Sequence, residues 1–194
     1  YTPRTLFPYT TLFRSLISPD SFIPIAEETG LILPLGNWVL TTACERAVSW
    51  PESLFVSVNL SSTEFQRGNL IDRVRKVIIE TGLEAHRLEL EITESVMLED
   101  ASGALEVMRE LKRLGVRISM DDFGTGYSSL SYLRSFPFDG IKIDRSFVSC
   151  LGESDDDKSI INAIVSLGRA LSLTVTAEGI ETSEHLEVDR KSVV

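Results

Sequence analysis

A chain of 194 residues, 43 % apolar and 25 % charged, is long enough for one domain with a buried core. Its net charge of −10 argues against general nucleic-acid binding, which needs a basic surface, but allows an anionic ligand bridged by metal ions. Cys44 and Cys150 are far apart, and neither His86 nor His185 has a Cys or His partner, which argues against a zinc site and a Ser-His-Asp triad.

No apolar run is long enough to span a bilayer, no segment reads as a cleaved signal peptide, and the two cysteines are expected to be reduced and largely buried. From residue 18 onward, helix and strand patterns alternate. Ser18-Pro19-Asp20 opens a helix through Glu28, with Pro19 where a missing N–H is tolerated and Gly30 as a stop. A helix over roughly 36–50 precedes a strand over 54–59. Leu70, Val74, Val77 and Ile78 mark one face of a helix over 70–81, closed by Gly82. A strand at 87–93 leads to a helix over 100–114, carrying Leu105, Met108 and Leu111 and ended by Gly115. Then come a strand at 116–121, a helix near 128–135, a strand at 140–144, a helix over 157–171 and a strand at 173–178. The acidic run 155–157 reads as a solvated helix start. Strands separated by helices imply parallel pairing with right-handed crossovers. Five such strands fit either a (β/α) barrel or an open doubly wound sheet by periodicity alone.

Strand phase says more. One face carries Val56 and Val58, Leu88, Leu90 and Ile92, Val116, Ile118 and Met120, Ile141 and Ile143, Val175 and Ala177. The other carries Ser57 and Asn59, Glu89 and Glu91, Arg117, Ser119 and Asp121, Lys142, Thr174, Thr176 and Glu178. A parallel sheet covered on both faces would be apolar on both. Here the polar face ends in Asn59, Glu91, Asp121, Lys142 and Glu178, each at or near the C-terminal end of its strand, where (β/α) barrels carry their active sites.

Asn59, Glu91, Asp121 and Glu178 offer hard oxygen ligands; Asp122 follows directly, although alternation turns it elsewhere unless the strand ends there. Carboxylates ~4 Å apart repel by ~4 kcal/mol at an effective dielectric of 20, so converging acids raise each other's pKa or recruit cations. An oxygen-only set suits Mg²⁺ or Mn²⁺, and two such ions can clamp a phosphodiester and activate water. Lys142 either positions the attacking water and stabilises phosphate charge, or simply neutralises its acidic neighbours. The glycine-containing turn over 121–127 reads equally as a mobile loop beside the metals and as a plain turn. Glu94, three residues past Glu91, is either a surface acid or an anchor for that loop.

At these residues the sequence resembles the EAL family of cyclic di-GMP phosphodiesterases. The matching segments are Ser18-Pro-Asp-Ser-Phe-Ile-Pro-Ile-Ala-Glu-Glu-Thr-Gly30, Val58-Asn-Leu-Ser61, Leu88-Glu-Leu-Glu-Ile-Thr-Glu-Ser95, Asp121-Asp-Phe-Gly-Thr-Gly-Tyr-Ser-Ser-Leu130, Ile141-Lys-Ile-Asp-Arg-Ser-Phe147 and Ala177-Glu-Gly-Ile-Glu-Thr182. The resemblance implies a (β/α) TIM-type barrel that hydrolyses cyclic di-GMP to linear pGpG with Mg²⁺ or Mn²⁺, as two ions. It implies Asn59, Glu91, Asp121 and Asp122 as metal ligands, Lys142 and Glu178 as catalytic, Glu94 as loop anchor and Glu181 as a supporting acid. It also implies a bacterial cytoplasmic location, dimer formation through the loop and helix after Asp122, and sensor or cyclase domains elsewhere in the full-length protein.

Two departures shape the expected domain limits. The family's Glu-x-Leu-x-Arg strand has no counterpart: the segment Thr10-Thr-Leu-Phe-Arg14 copies its spacing without the Glu. Residues 1–15 repeat Thr-Leu-Phe, hold no acid and are expected to be foreign, as is the tail 188–194; 16–187 is expected to be a partial EAL domain with about five of eight strands. Such a fragment is expected to be aggregation-prone and inactive alone. The alternatives are a degenerate EAL domain that senses cyclic di-GMP, and a different metal-dependent barrel enzyme such as an aldolase or enolase-like lyase.

Overall fold

The computed structural model describes residues 17–67, 69–124, 130–149 and 155–180. Helices α1 (Pro19–Thr29) and α2 (Ile32–Val48) lead into strand β1 (Val56–Leu60). Helices α3 (Ser62–Arg67) and α4 (Leu70–Thr81) connect it to β2 (Leu88–Thr93). Helices α5 (Ser95–Glu99) and α6 (Ala101–Leu114) lead to β3 (Arg117–Phe123), and α7 (Leu130–Ser135) leads to β4 (Gly140–Ile143). Helices α8 (Arg145–Ser149) and α9 (Asp155–Leu171) precede β5 (Thr174–Ala177).

The five strands form one parallel sheet in the order β1-β2-β3-β4-β5. Each new strand adds beside the last, so the order never reverses as it does at the switch point of a doubly wound sheet. The crossover helices pack on the apolar face. Leu40, Cys44 and Ala47 of α2, Val74 and Val77 of α4, Met108 and Leu111 of α6, and Ile161 and Ile164 of α9 join Val58, Leu90, Ile118 and Ile141 in one buried core. Monotonic order with helices on one face defines a partial (β/α) barrel, whose polar face is the barrel interior.

Strand phase follows the sequence reading. In β1, Val56, Val58 and Leu60 are buried while Ser57 and Asn59 are exposed. The helix stops at Gly82 and Gly115 are left-handed caps. The expected helix start at 36 is wrong: α2 begins at Ile32, and Gly36 lies inside it. A Cβ at Gly36 would stand 1.7 Å from Glu64 Oε1, so the glycine is there for close packing rather than as a boundary. Helices α3, α5 and α8 are too short, at five or six residues, to show a periodicity in sequence. Cys44 is a free, buried thiol, and burial pushes its pKa up to about 11. Cys150, His185 and Glu181 lie outside the described residues. So do the loop 125–129 and the segments 1–16 and 181–194.

Candidate metal and catalytic site

Pairing in register brings the strand ends to one level. Asn59 of β1 stands beside Glu91 of β2, and Thr93 stands beside Asp121 of β3. Between β3 and β4 the register shifts: Met120 pairs with Ile141, but Phe123 pairs with Ile143. Two residues, Asp121 and Asp122, therefore oppose the single Lys142, which is a β-bulge. Asp122 absorbs the extra residue with φ of 53°, a left-handed conformation that Asp tolerates better than most side chains. The strand does not end at Asp121, as alternation required for Asp122 to join the site; it continues to Phe123, and the bulge turns both carboxylates inward. Beyond β5, the Glu178 N–H donates to the Ile143 carbonyl at 3.1 Å, which carries the ladder one residue further and brings its carboxylate to the same mouth.

Lys142 is the hub. Its Nζ lies 2.8 Å from Glu91 Oε2, 3.3 Å from Asp121 Oδ1 and 2.5 Å from Glu178 Oε1. The Asn59 amide, turned so that both its groups are satisfied, donates to Glu91 Oε2 at 3.2 Å and Asp121 Oδ2 at 3.0 Å. Carboxylate oxygens of Asp121, Asp122 and Glu178 lie within 4.8 Å of one another, a spacing that can hold a cation. One mouth thus gathers Asn59, Glu91, Asp121, Asp122, Lys142 and Glu178.

The electrostatics follow from partial burial. Burial pushes the Glu91 carboxyl up, against the hydrogen bond from Lys142, and Asp121 adds to the rise. Burial also raises Asp122, reinforced by the charges of Asp121, Asp144 and Glu178. At Lys142, burial opposes the ammonium form, but the hydrogen bonds to Glu178 and Glu91 outweigh it and hold the pKa well above the usual lysine range. Lys142 is therefore a fixed ammonium at neutral pH. An oxygen-only donor set with surplus negative charge fits Mg²⁺ or Mn²⁺ rather than a thiophilic metal.

Glu94 is half-buried at the start of α5, but the loop it was expected to anchor lies in 125–129, outside the described residues. Asp144 was missed from sequence as a site residue. It sits just past β4 and contributes to the field at Asp122, while the Ser146 hydroxyl and the Ser146 N–H, at 3.0 Å, hold its own pKa down. Its position two residues past Lys142, on the same polar phase, was the available signal. Toward the N-terminal ends of the strands, Ser57 donates to Glu89 at 3.1 Å, Arg117 lies 3.4 Å from Glu89, and the Arg117 guanidinium stacks on Phe55 at 4.5 Å. Ser57 also hydrogen-bonds Glu91, which links this layer to the mouth.

Fold and site together define a (β/α)-barrel domain with a carboxylate-rich, single-lysine mouth at its strand ends. A family model described as EAL domain matches residues 12–192, and the chain belongs to the EAL domain family. It is 45 % identical over 178 residues to the bifunctional diguanylate cyclase/cyclic di-GMP phosphodiesterase MucR of Pseudomonas aeruginosa, covering 90 % of this chain and 26 % of that protein. It is 51 % identical over 174 residues to the uncharacterised protein y4lL of Sinorhizobium fredii, covering 90 % of this chain and 21 % of that one. A solved structure of the PaMucR phosphodiesterase in complex with c-di-GMP superposes with a TM-score of 0.88 at 42 % identity, covering 94 % of this chain and 75 % of that one. The chain spans between a fifth and roughly a quarter of the curated relatives it matches. No helix among the described residues is long and apolar enough to cross a membrane.

Proposed function

We propose that the bacterial cytoplasmic signalling protein to which this segment contributes hydrolyses cyclic di-GMP to linear pGpG with Mg²⁺ or Mn²⁺, and that the segment alone is inactive. The observation that carries this reading is the mouth itself: one fixed ammonium among four carboxylates and an amide, all delivered by the ends of consecutive parallel strands. The named activities of its relatives, and the c-di-GMP bound in a neighbour, supply the substrate class.

Asn59, Glu91, Asp121 and Asp122 would hold the cations, with Glu178 beside them. Two bound ions would neutralise phosphate charge and lower the pKa of water. Lys142, within reach of Glu91, Asp121 and Glu178, would orient the attacking water and stabilise charge on the phosphate oxygens from Nζ. The carboxylate of Glu178, 2.5 Å from Lys142 Nζ, would help to orient that water. Glu94 would hold the loop after Asp122 and Glu181 would support the site, and that loop with its helix would form a homodimer contact; residues 125–129 and Glu181 lie outside the described residues. Sensor or cyclase domains fill the rest of a full-length protein.

The test incubates cyclic di-GMP and Mn²⁺ with the chain and, in parallel, with the product of the genomic reading frame that contains it; nucleotides are resolved by chromatography. The expected result is metal-dependent pGpG from the reading-frame product, reduced about 10²–10³-fold in Lys142→Ala. Tight cyclic di-GMP binding without pGpG would instead make the domain a sensor, and turnover unaffected by Lys142→Ala would remove the proposed role of that residue.

A further inference from the structure

Glu64 is a buried acid that the chemistry above does not use; it is 2 % exposed. It closes a reciprocal cap on α3. The Glu64 N–H donates to Ser61 Oγ at 3.2 Å, and Glu64 Oε2 accepts from the Ser61 N–H at 3.2 Å and the Ser61 hydroxyl at 3.3 Å. Its other oxygen, Oε1, accepts from Arg73 of α4 at 2.9 Å, and Gly36 of α2 leaves the space in which it lies. One carboxylate thus joins α2, α3 and α4 at a single point.

Its cap partner Ser61 is two residues beyond Asn59. β1 pairs only with β2 among the described residues, and its ladder ends at Leu60 beside Ile92. The first N–H past the ladder, that of Ser61, is held by Glu64 instead of by a neighbouring strand. Asn59 therefore has a paired strand on one side and this cap directly after it.

Resting on the metal-site reading above, we infer that Glu64 is a positioning residue that, through Ser61, fixes the direction in which β1 delivers the Asn59 amide to the cation. Outer groups that orient a metal's ligands govern affinity about 10–100-fold. Gly36 and Arg73 belong to the same device. A side chain at 36 displaces the carboxylate while leaving Ser61 and Glu64 chemically intact.

Mn²⁺ binding, measured by titration calorimetry on the full-length reading-frame product, tests this. Glu64→Ala and Gly36→Ala are expected to weaken Mn²⁺ by about 10-fold. Glu64→Gln, whose amide oxygen still accepts from Ser61, keeps most of the affinity. In an Asn59→Ala background, adding Glu64→Ala produces no further loss, because the residue acts through Asn59. Thermal melts run alongside separate folding from binding. If Glu64→Ala unfolds the protein, Gly36→Ala and Glu64→Gln carry the comparison. Unchanged Mn²⁺ affinity in folded Gly36→Ala and Glu64→Ala, or an equal loss with and without Asn59, would overturn the inference while leaving the metal site standing. Absence of Mn²⁺ binding by the unsubstituted protein would instead sink the metal reading and this inference together.

Discussion

At the residue scale, Asp122 shows how a site can be set against its backbone. Its left-handed φ and the neighbouring charges of Asp121, Asp144 and Glu178 are both unfavourable, and both follow from bringing two adjacent carboxylates to one face. Asn tolerates the same backbone without the charge. Asp122→Asn is therefore expected to raise stability in EDTA, by roughly 1 kcal/mol, while weakening Mn²⁺ binding. Urea denaturation and metal titration of the same sample check the two halves; a destabilised variant would show that the repulsion is not felt. Lys142 is the counterpart, a charge whose surroundings favour it. The need for a cation among the strand-end acids was legible from strand phase. The inward turn of Asp122 was not, because no residue pattern in the 121–124 stretch announces a bulge.

At the element scale, local signals and packing share the work. The Asp100 carboxylate caps α6, accepting from the Gly103 N–H at 3.0 Å and from the Ser102 hydroxyl at 2.9 Å. Those bonds, the Gly103 N–H first, hold its pKa below the usual carboxylate value of about 4. A depressed folded pKa adds stability that is present above the unfolded value and disappears as pH falls through the folded one. Asp100→Ala is thus expected to melt earlier than the parent at pH 7, with the gap closing below about pH 4, whereas Asp100→Asn stays near the parent at pH 7. A deficit of equal size at pH 7 and pH 3 would refute the linkage. The long amphipathic helices α4, α6 and α9 were legible because their apolar residues recur at helical spacing. The capping box of α3 was also written in the residues, as Ser61 followed three places later by Glu64, yet its helix is too short for periodicity to flag. Gly36 misled for a physical reason: a glycine required by a neighbour's carboxylate looks, in one dimension, like a glycine required by a turn.

At the scale of the whole molecule, the proposed cation donors come from β1, β2 and β3, with Glu178 just after β5 beside them. Cations held there would tie neighbouring strand ends together. Mg²⁺ or Mn²⁺ is expected to raise the melting temperature, with about 2.7 kcal/mol gained at a hundred times Kd, and EDTA to reverse it. Combining Glu91→Gln with Asp121→Asn should abolish the shift. Calorimetric melts that do not respond to saturating divalent metal would contradict a bridging site.

Sequence by itself determined the alternation of strands and helices, the apolar and polar faces of every strand, and the set of side chains at the strand ends. These are local properties: side-chain direction in a strand has period two, and burial must match it. Tertiary structure alone decided that the strands add in unbroken order rather than reversing. It also decided that a register shift brings Asp121 and Asp122 opposite Lys142, and that Glu64 reaches Gly36, Ser61 and Arg73. Those outcomes depend on which backbones lie side by side, and hydrogen-bond register between strands distant in sequence leaves no periodic trace in either one.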